Sequence, residues 1–162
     1  MAVLKPDLET RLAEDHHQAL KLWLRLLTCT NLITGQIRTR LRENFDTTLP
    51  RFDLLAQLER HPEGLKMSEL SKRMMVTTGN VTGITDQLEA EGLVRREPDP
   101  QDRRVYTVKL TPQGRRVFQK MAKEHEGWVI ELFEGLSSSE KDLMYALLGK
   151  LKSHLNGKGA GR

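Results

Sequence analysis

Residues Gly64 to Gly114 read GLKMSELSKRMMVTTGNVTGITDQLEAEGLVRREPDPQDRRVYTVKLTPQG. Apolar residues first recur at helical steps. Leu70 and Met74 mark a short helix over Ser68–Met75, and Val81, Ile84 and Leu88 mark a second over Thr78–Glu91. Thr77 is placed to cap the second helix, and Gly92 is placed to end it in a left-handed conformation. The period then changes to two. Leu93–Glu97 and Val105–Leu110 predict paired strands, joined by a loop of turn-forming residues from Pro98 to Asp102, with Arg103 and Arg104 at the tip.

Outward from that stretch the pattern is helical. From His17 to Phe45, Leu20, Trp23, Leu27, Ile33, Ile37, Leu41 and Phe45 recur at mostly three- and four-residue steps. They lie near one stripe of a long helix, longer than a small domain can cover by itself, so a partner chain is the expected cover. Asp46–Thr48 break the pattern. Pro50 suits the first turn of a helix ending near Arg60, with Phe52, Leu54, Leu55 and Leu58 inward. Turn residues 61–64 follow, and Leu65–Met67 can form a short strand. Thr111-Pro112 starts a helix running to about Gly135, and Ser137-x-x-Glu140 reads as a capping box for a last helix ending near Leu155. Residues 7–15 suit a short helix or an arm. The fold class predicted is mainly α with a small β-hairpin, divided into a helical region 1–48, a central module 49–112, C-terminal helices 113–155 and a disordered tail 156–162.

Bulk composition sets few limits. The 162 residues carry a net charge of +4, and 30% are charged. The excess is local: between Arg95 and Arg116 there are seven basic residues against three acids. A polyanionic partner is permitted, though a solvated hairpin has the same composition. One cysteine, Cys29, precludes an intrachain disulfide and suits a reducing compartment. No apolar run reaches signal-peptide or membrane-span length, so a cytoplasmic protein without a membrane partner is expected.

Helix, turn, helix, strand, basic loop, strand is the order of a winged helix-turn-helix, in which one helix enters a DNA major groove and the hairpin reaches the adjacent minor groove. On the second helix Thr78, Asn80, Thr82, Gly83 and Asp86 face away from the apolar side. Asn can bridge adenine N6 and N7, and Thr can bond a base or touch a thymine methyl. Ser68 and Thr77 join them at the helix starts. Lys72, Arg73, Arg95 and Arg96 are candidate phosphate contacts, setting affinity and salt dependence. At the tip, Asp102 is expected to hold one guanidinium, leaving the other of Arg103 and Arg104 to project into a narrow minor groove.

The GLVRRE strand, the DPQDRR wing and the VKLTPQG exit resemble the MarR family of winged-helix regulators, over about Leu20–Leu155. The resemblance implies a homodimer joined by its N- and C-terminal helices, a palindromic operator in double-stranded DNA, and repression relieved by a small molecule. Two recognition helices on a dyad would reach grooves about 34–36 Å apart. One departure is Gly83, where recognition helices of the family frequently carry Arg, so base readout leans on Asn80, Thr82 and the wing. LWLRLLTCTNLI (Leu22–Ile33) and LPRFDLLAQLER (Leu49–Arg60) are similar to a subgroup governing breakdown of hydroxycinnamates and related aromatic acids and answering to aryl-CoA thioesters. That similarity implies a small aromatic ligand or its CoA thioester, with Trp23, Arg25, Cys29, Ile33, Phe52 and Trp128 lining the pocket and Arg38, Arg40 and Arg42 meeting CoA phosphates.

The alternatives differ in class. Trp23 and Trp128 can instead be dimer core, and the three arginines a solvated face. The whole module can serve protein–protein contact, with its wing basic by accident. Cys29 can be read as an oxidant sensor within the same family, but a thiol mid-helix among apolar neighbours is usually inert. His16 and His17, adjacent on a helix, point about 100° apart and do not make a metal site. No cofactor and no enzymatic activity are expected.

Overall fold

A computed structural model describes residues 17–159; the segment 7–15 and His16 lie outside them. The elements are α1 (Gln18–Phe45), α2 (Leu49–Glu59), β1 (Leu65–Lys66), α3 (Met67–Met74), α4 (Thr78–Ala90), β2 (Val94–Pro98), β3 (Tyr106–Leu110), α5 (Pro112–Leu132) and α6 (Ser138–Gly159). They fall into two compact units that divide between His125 and Glu126.

Helix ends follow local chemistry. α1 stops where Asp46 turns left-handed (φ 47°) and its N–H donates to Arg42 O. Thr48 then caps α2, its hydroxyl oxygen accepting from Arg51 N, with Pro50 in the first turn. Thr77 does the same for α4 through Asn80 N. Glu69 accepts from Lys66 N at 2.8 Å, which starts α3 at Met67, one residue earlier than expected. Ser137 and Glu140 form the reciprocal box that opens α6: Ser137 N donates to Glu140 Oε2 and Glu140 N to Ser137 Oγ. α6 continues to Gly159, past the expected end at Leu155. Each added residue of an existing helix needs only one more hydrogen bond, without a new nucleus.

The sheet has the order β1-β3-β2, antiparallel throughout, with Leu65 opposite Val108 and Arg96 opposite Val108 on the other side. The wing strands each start one residue later than their expected bounds. Val105 N donates to Asp102 O and Asp99 N to Val105 O, so Val105 belongs to the turn.

The core of the first unit is aliphatic: Leu41, Leu54, Leu55, Leu58, Leu70, Val81, Leu88, Val94 and Val108 are fully buried. Each such side chain contributes about 1.5–3 kcal/mol relative to an exposed one. Two assignments change, and one of them shifts by one helical position. On α4 the residue sealed between Val81 and Leu88 is Thr85, while Ile84 is only half-buried. Thr85 is tolerated there because its hydroxyl donates to Val81 O at 2.7 Å. On α3 Leu70 is sealed but Met74 is half-buried.

α1 is divided along its length. Ile37 and Leu41 are buried, whereas Leu20, Leu22, Trp23, Leu27 and Leu32 are exposed. On α6 every side chain from Ser138 to Gly157 is exposed, including Leu143, Tyr145, Leu147 and Leu155.

The close approach of α5 to the turn after α4 explains the LTPxG exit. Thr111 N donates to Leu93 O, Thr111 Oγ1 donates to Gly92 O at 2.6 Å, and Gly114 N donates back to Thr111 Oγ1 at 2.9 Å. A Cβ on Gly114 would stand 1.8 Å from Leu93 O. Gly114→Ala is therefore expected to cost about 2–4 kcal/mol, as an overpacked site against backbone that cannot rotate away. Gly127→Ala, also in α5 but with open space around it, should be neutral or stabilising by up to about 1 kcal/mol. Urea unfolding of the two variants checks the contrast, and equal midpoints would remove the close approach from the account.

Candidate nucleic-acid interface

α4 presents its polar side as the sequence suggests. Thr77, Thr78, Gly79, Asn80, Thr82, Gly83 and Asp86 are exposed, over an inner side of Val81, Thr85 and Leu88. The Thr82 hydroxyl donates to Thr78 O at 3.0 Å, so what it offers a ligand is acceptor capacity. Gly79 and Gly83 have nothing within 4 Å of a Cβ position. They leave a low stretch of helix surface on which another backbone can come close. Ser68, Lys72 and Arg73 are exposed on the preceding helix α3, and among the described residues no carboxylate pairs with either cation.

The basic residues of the hairpin divide into paired and unpaired sets. Arg95 Nε lies 2.8 Å from Glu97 Oε1, and Lys109 Nζ lies 2.8 Å from Glu97 Oε2. Held first by Lys109 and then by Arg95, the Glu97 carboxyl sits below its ordinary pKa. Arg96 turns inward onto α4. Its two terminal nitrogens meet Asp86 Oδ1 at 2.5 Å and Glu89 Oε2 at 3.1 Å, with the side chain 21% exposed. Burial by itself would lower the pKa of this guanidinium; the two carboxylates more than offset that and raise it. Arg95 and Arg96, expected as phosphate contacts, are thus engaged within the protein, and so is Asp86.

The tip is shaped by two aspartates acting on backbone. Asp99 Oδ1 accepts from Gln101 N at 2.8 Å and from Asp102 N at 3.3 Å, while Lys66 Nζ stands 3.6 Å from Asp99 Oδ2. The Gln101 amide, more than the other contacts, holds the Asp99 carboxyl below its ordinary pKa. Asp102 Oδ1 accepts from Arg104 N at 3.0 Å. Asp102 was expected to grip a guanidinium and instead sets the turn, because a short side chain two residues upstream reaches the backbone N–H more readily. Arg103 and Arg104 are both exposed, and among the described residues no carboxylate holds either.

The residues expected to line an effector pocket differ widely in exposure. Trp23 is 54% exposed and Cys29 is exposed, neither packed among apolar side chains. Arg25, Arg38 and Arg42 are exposed on α1, while Arg40 and Ile33 are half-buried. Phe52 is a core residue, its ring centroid 5.5 Å from Phe118 and 4.8 Å from His125. Trp128 is buried and belongs to the second unit. A cavity of about 300 Å³ in the first unit is lined instead by Phe45, Thr47, Arg51, Leu55, Leu88 and Met121, among others. At its edge Arg51 pairs with Glu91, tying α2 to the end of α4. Among the described residues no group of His, Cys, Asp and Glu could hold a metal, and no helix is long and apolar enough to cross a membrane.

A sequence description of the MarR family matches residues 47–106, the span from the end of α1 to the wing. An HTH-type transcriptional regulator of Bacillus cereus is 30% identical over 134 residues, which cover 82% of this chain and 88% of that protein. The chain belongs to the MarR family. Among solved structures, the MarR family regulator AbsC of Streptomyces coelicolor is 27% identical with a TM-score of 0.76, covering 91% of this chain and 99% of that one. A single-residue mutant of MarR from E. coli, solved with operator DNA, shares the fold at 24% identity and a TM-score of 0.74, covering 86% of this chain and 99% of that one.

Two features here escaped the sequence reading. The Arg96 clamp joins residues seven and ten apart, and its signal was the Asp86-x-x-Glu89 pair on one helix face ahead of a strand arginine. The Arg51–Glu91 pair spans forty residues and had no local signal. A clamp and a phosphate contact differ in their response to salt. Lys72→Ala should lower the slope of log K against log salt by about 0.9 for the one phosphate it would neutralise. Arg96→Ala should weaken DNA binding by about 1 kcal/mol, the scale of a coupled ion-pair network, with the slope unchanged. Fluorescence anisotropy across a salt series separates the two, and a reduced slope for Arg96→Ala would place that guanidinium on the DNA after all.

Proposed function

We propose that two copies of this chain occupy a palindromic operator, repress transcription there, and leave the DNA when a small aromatic effector binds. The observation that carries the reading is the sorting of charge on the wing. Carboxylates neutralise Arg95, Arg96 and Lys109, and the two arginines left over stand together at the tip, beside a recognition helix clamped to the same hairpin. A protein with this fold holds operator DNA in the E. coli MarR mutant. The polar face of α4 enters the major groove, with Asn80 and Thr82 at base edges, and Arg103 and Arg104 reach the minor groove. Lys72, Arg73 and Ser68 meet phosphates on the flank.

The dimer is proposed from the apolar residues that a single chain leaves in water on α1 and on α6. Contiguous apolar surface of this kind ordinarily marks an interface, and a two-fold interface gives the palindrome its symmetry. In the proposed division of labour, residues 1–48 and 113–155 join the copies and 49–112 bind DNA. The effector is proposed as an aromatic acid or its CoA thioester, meeting Trp23 and, for the thioester, the phosphate-binding capacity of Arg38 and Arg42 on exposed α1. It releases DNA only by preferring the DNA-incompetent state.

A mobility-shift titration tests the DNA reading: binding to the region upstream of its own gene, falling by several units of log K per log salt, against scrambled competitor. Equal affinity for scrambled DNA would overturn the sequence-specific reading. Arg104→Ala is expected to weaken the specific complex by about 1–3 kcal/mol, and a change within error would take the wing out of the mechanism. Thermal-shift measurements with aromatic acids and their CoA thioesters test the effector, since a ligand specific for the folded state raises apparent stability by mass action.

A further inference from the structure

The turn between α3 and α4 holds an apolar side chain in an unexpected place. Met75 is 93% exposed, more than any other large hydrophobic residue among the described residues. Its backbone is left-handed, φ 53° and ψ 39°, at the position that ends α3. Met75 N donates to Lys72 O at 3.4 Å and Val76 N to Ser71 O at 3.2 Å, the closure for which glycine is the usual residue. A side chain with a Cβ adopts this backbone at a cost that glycine does not carry. The turn is held, not loose, because Ser71 Oγ donates to Val76 O at 2.6 Å. Met75 therefore carries backbone strain, puts a thioether into water and gains nearly no packing within the chain.

Its surroundings say what the side chain is for. Its near neighbours along the chain, Lys72, Arg73, Thr77, Thr78, Gly79 and Asn80, are all exposed and polar, basic or small, while the apolar Met74 and Val76 beside it are half-buried. That differs from α1 and α6, where exposed apolar residues come in stripes fit for another helix. It lies two residues before Thr77, the cap of the helix proposed to enter the major groove. A flexible, unbranched thioether fills shallow irregular hollows well. The apolar features a duplex offers there are the thymine methyl group and the deoxyribose face.

We propose that Met75 is a DNA-contacting residue, its side chain seated against a thymine methyl or a deoxyribose beside the phosphates met by Lys72 and Arg73. This rests on the reading of this face as the DNA interface. The test uses the full chain and a duplex that the parent protein selects from a random-sequence pool, read by fluorescence anisotropy. Failure of the parent to select any duplex would remove the DNA-binding reading itself, and this inference with it.

With a selected duplex in hand, Met75→Gly should keep an unfolding midpoint equal to the parent's or up to about 4 °C above it, as left-handed strain is released. It should bind the duplex about four- to fifteen-fold more weakly, from the loss of one or two buried methylene equivalents. Its salt slope should stay the same, because no phosphate contact is lost. Replacing the duplex thymines one at a time by uracil, which deletes only the methyl group, then separates the two sources. A loss of about fourfold at one position for the parent, absent for Met75→Gly, identifies a thymine methyl. No loss at any position, together with the weaker binding of Met75→Gly, identifies a deoxyribose. Met75→Gly binding as tightly as the parent would overturn the inference.

Discussion

Two peptide groups, at Gly92 and Leu93, hold α4, the wing and α5 in register. Gly92, with φ at 74°, ends α4 by donating to Glu89 O, and Leu93 N donates to Leu88 O. The same two residues then supply their carbonyls to Thr111, and Leu93 O sits where a Cβ on Gly114 would be. Recognition helix, wing and α5 thus meet on one turn, without side chains long enough to flex between them. The direction of the wing relative to α4 is set first by backbone contacts and only then by Arg96. The close approach limits how far the hairpin can swing, so the tip can carry exposed arginines without losing their placement.

Charge on this surface is distributed by subtraction. Each strand carries basic residues, and carboxylates close to them in the fold pair with most of them: Glu97 takes Arg95 and Lys109, while Asp86 and Glu89 take Arg96. The tip aspartates do something different. Asp99 and Asp102 each direct an oxygen to backbone N–H groups, Asp99 turning its other oxygen to Lys66, and both leave Arg103 and Arg104 uncompensated. Counting charges along the chain treats all these acids alike. In the fold their roles differ, some neutralising the strand cations and others shaping the loop that displays Arg103 and Arg104.

That difference also marks the boundary of what could be read from the residues in order. Local rules carried the caps at Thr77 and Ser137 and the stop at Gly92, because each depends on contacts three to five residues apart, and alternation at period two carried the wing strands to within a residue. Burial on α4 was misread by one position. Ile84 and Thr85 are about 100° apart on the helix, both lie near the core edge, and only the hydrogen bond to Val81 O shows that a threonine can take the sealed place. Phe52 has the look of a pocket residue until Phe118 and His125, more than sixty residues later, are seen packed against it. Pairings such as Arg51 with Glu91 leave no trace in the order of residues, since either partner alone is an ordinary polar residue near a helix end. Met75 escaped for the opposite reason: its helical spacing placed it within α3, and only a positive φ set it outside.

α1 joins these contacts to the rest of the chain. Its C-terminal half is sealed through Ile37 and Leu41, and its N-terminal half leaves Leu20, Trp23, Leu27 and Leu32 bare. An uninterrupted helix of 28 residues is stiff, so whatever covers the bare half fixes the direction of the sealed half as well. From there the route to the DNA-facing helix is short. Asp46 and Thr47 end α1, Thr48 caps α2, and three residues on Arg51 grips Glu91 at the foot of α4. These are contiguous physical contacts, which make a coupling between the two ends of the unit mechanically reasonable; the energetic warrant is a shift in equilibrium that both ends bias. The pair that completes the route is partly open to solvent on the glutamate side and largely buried on the arginine side.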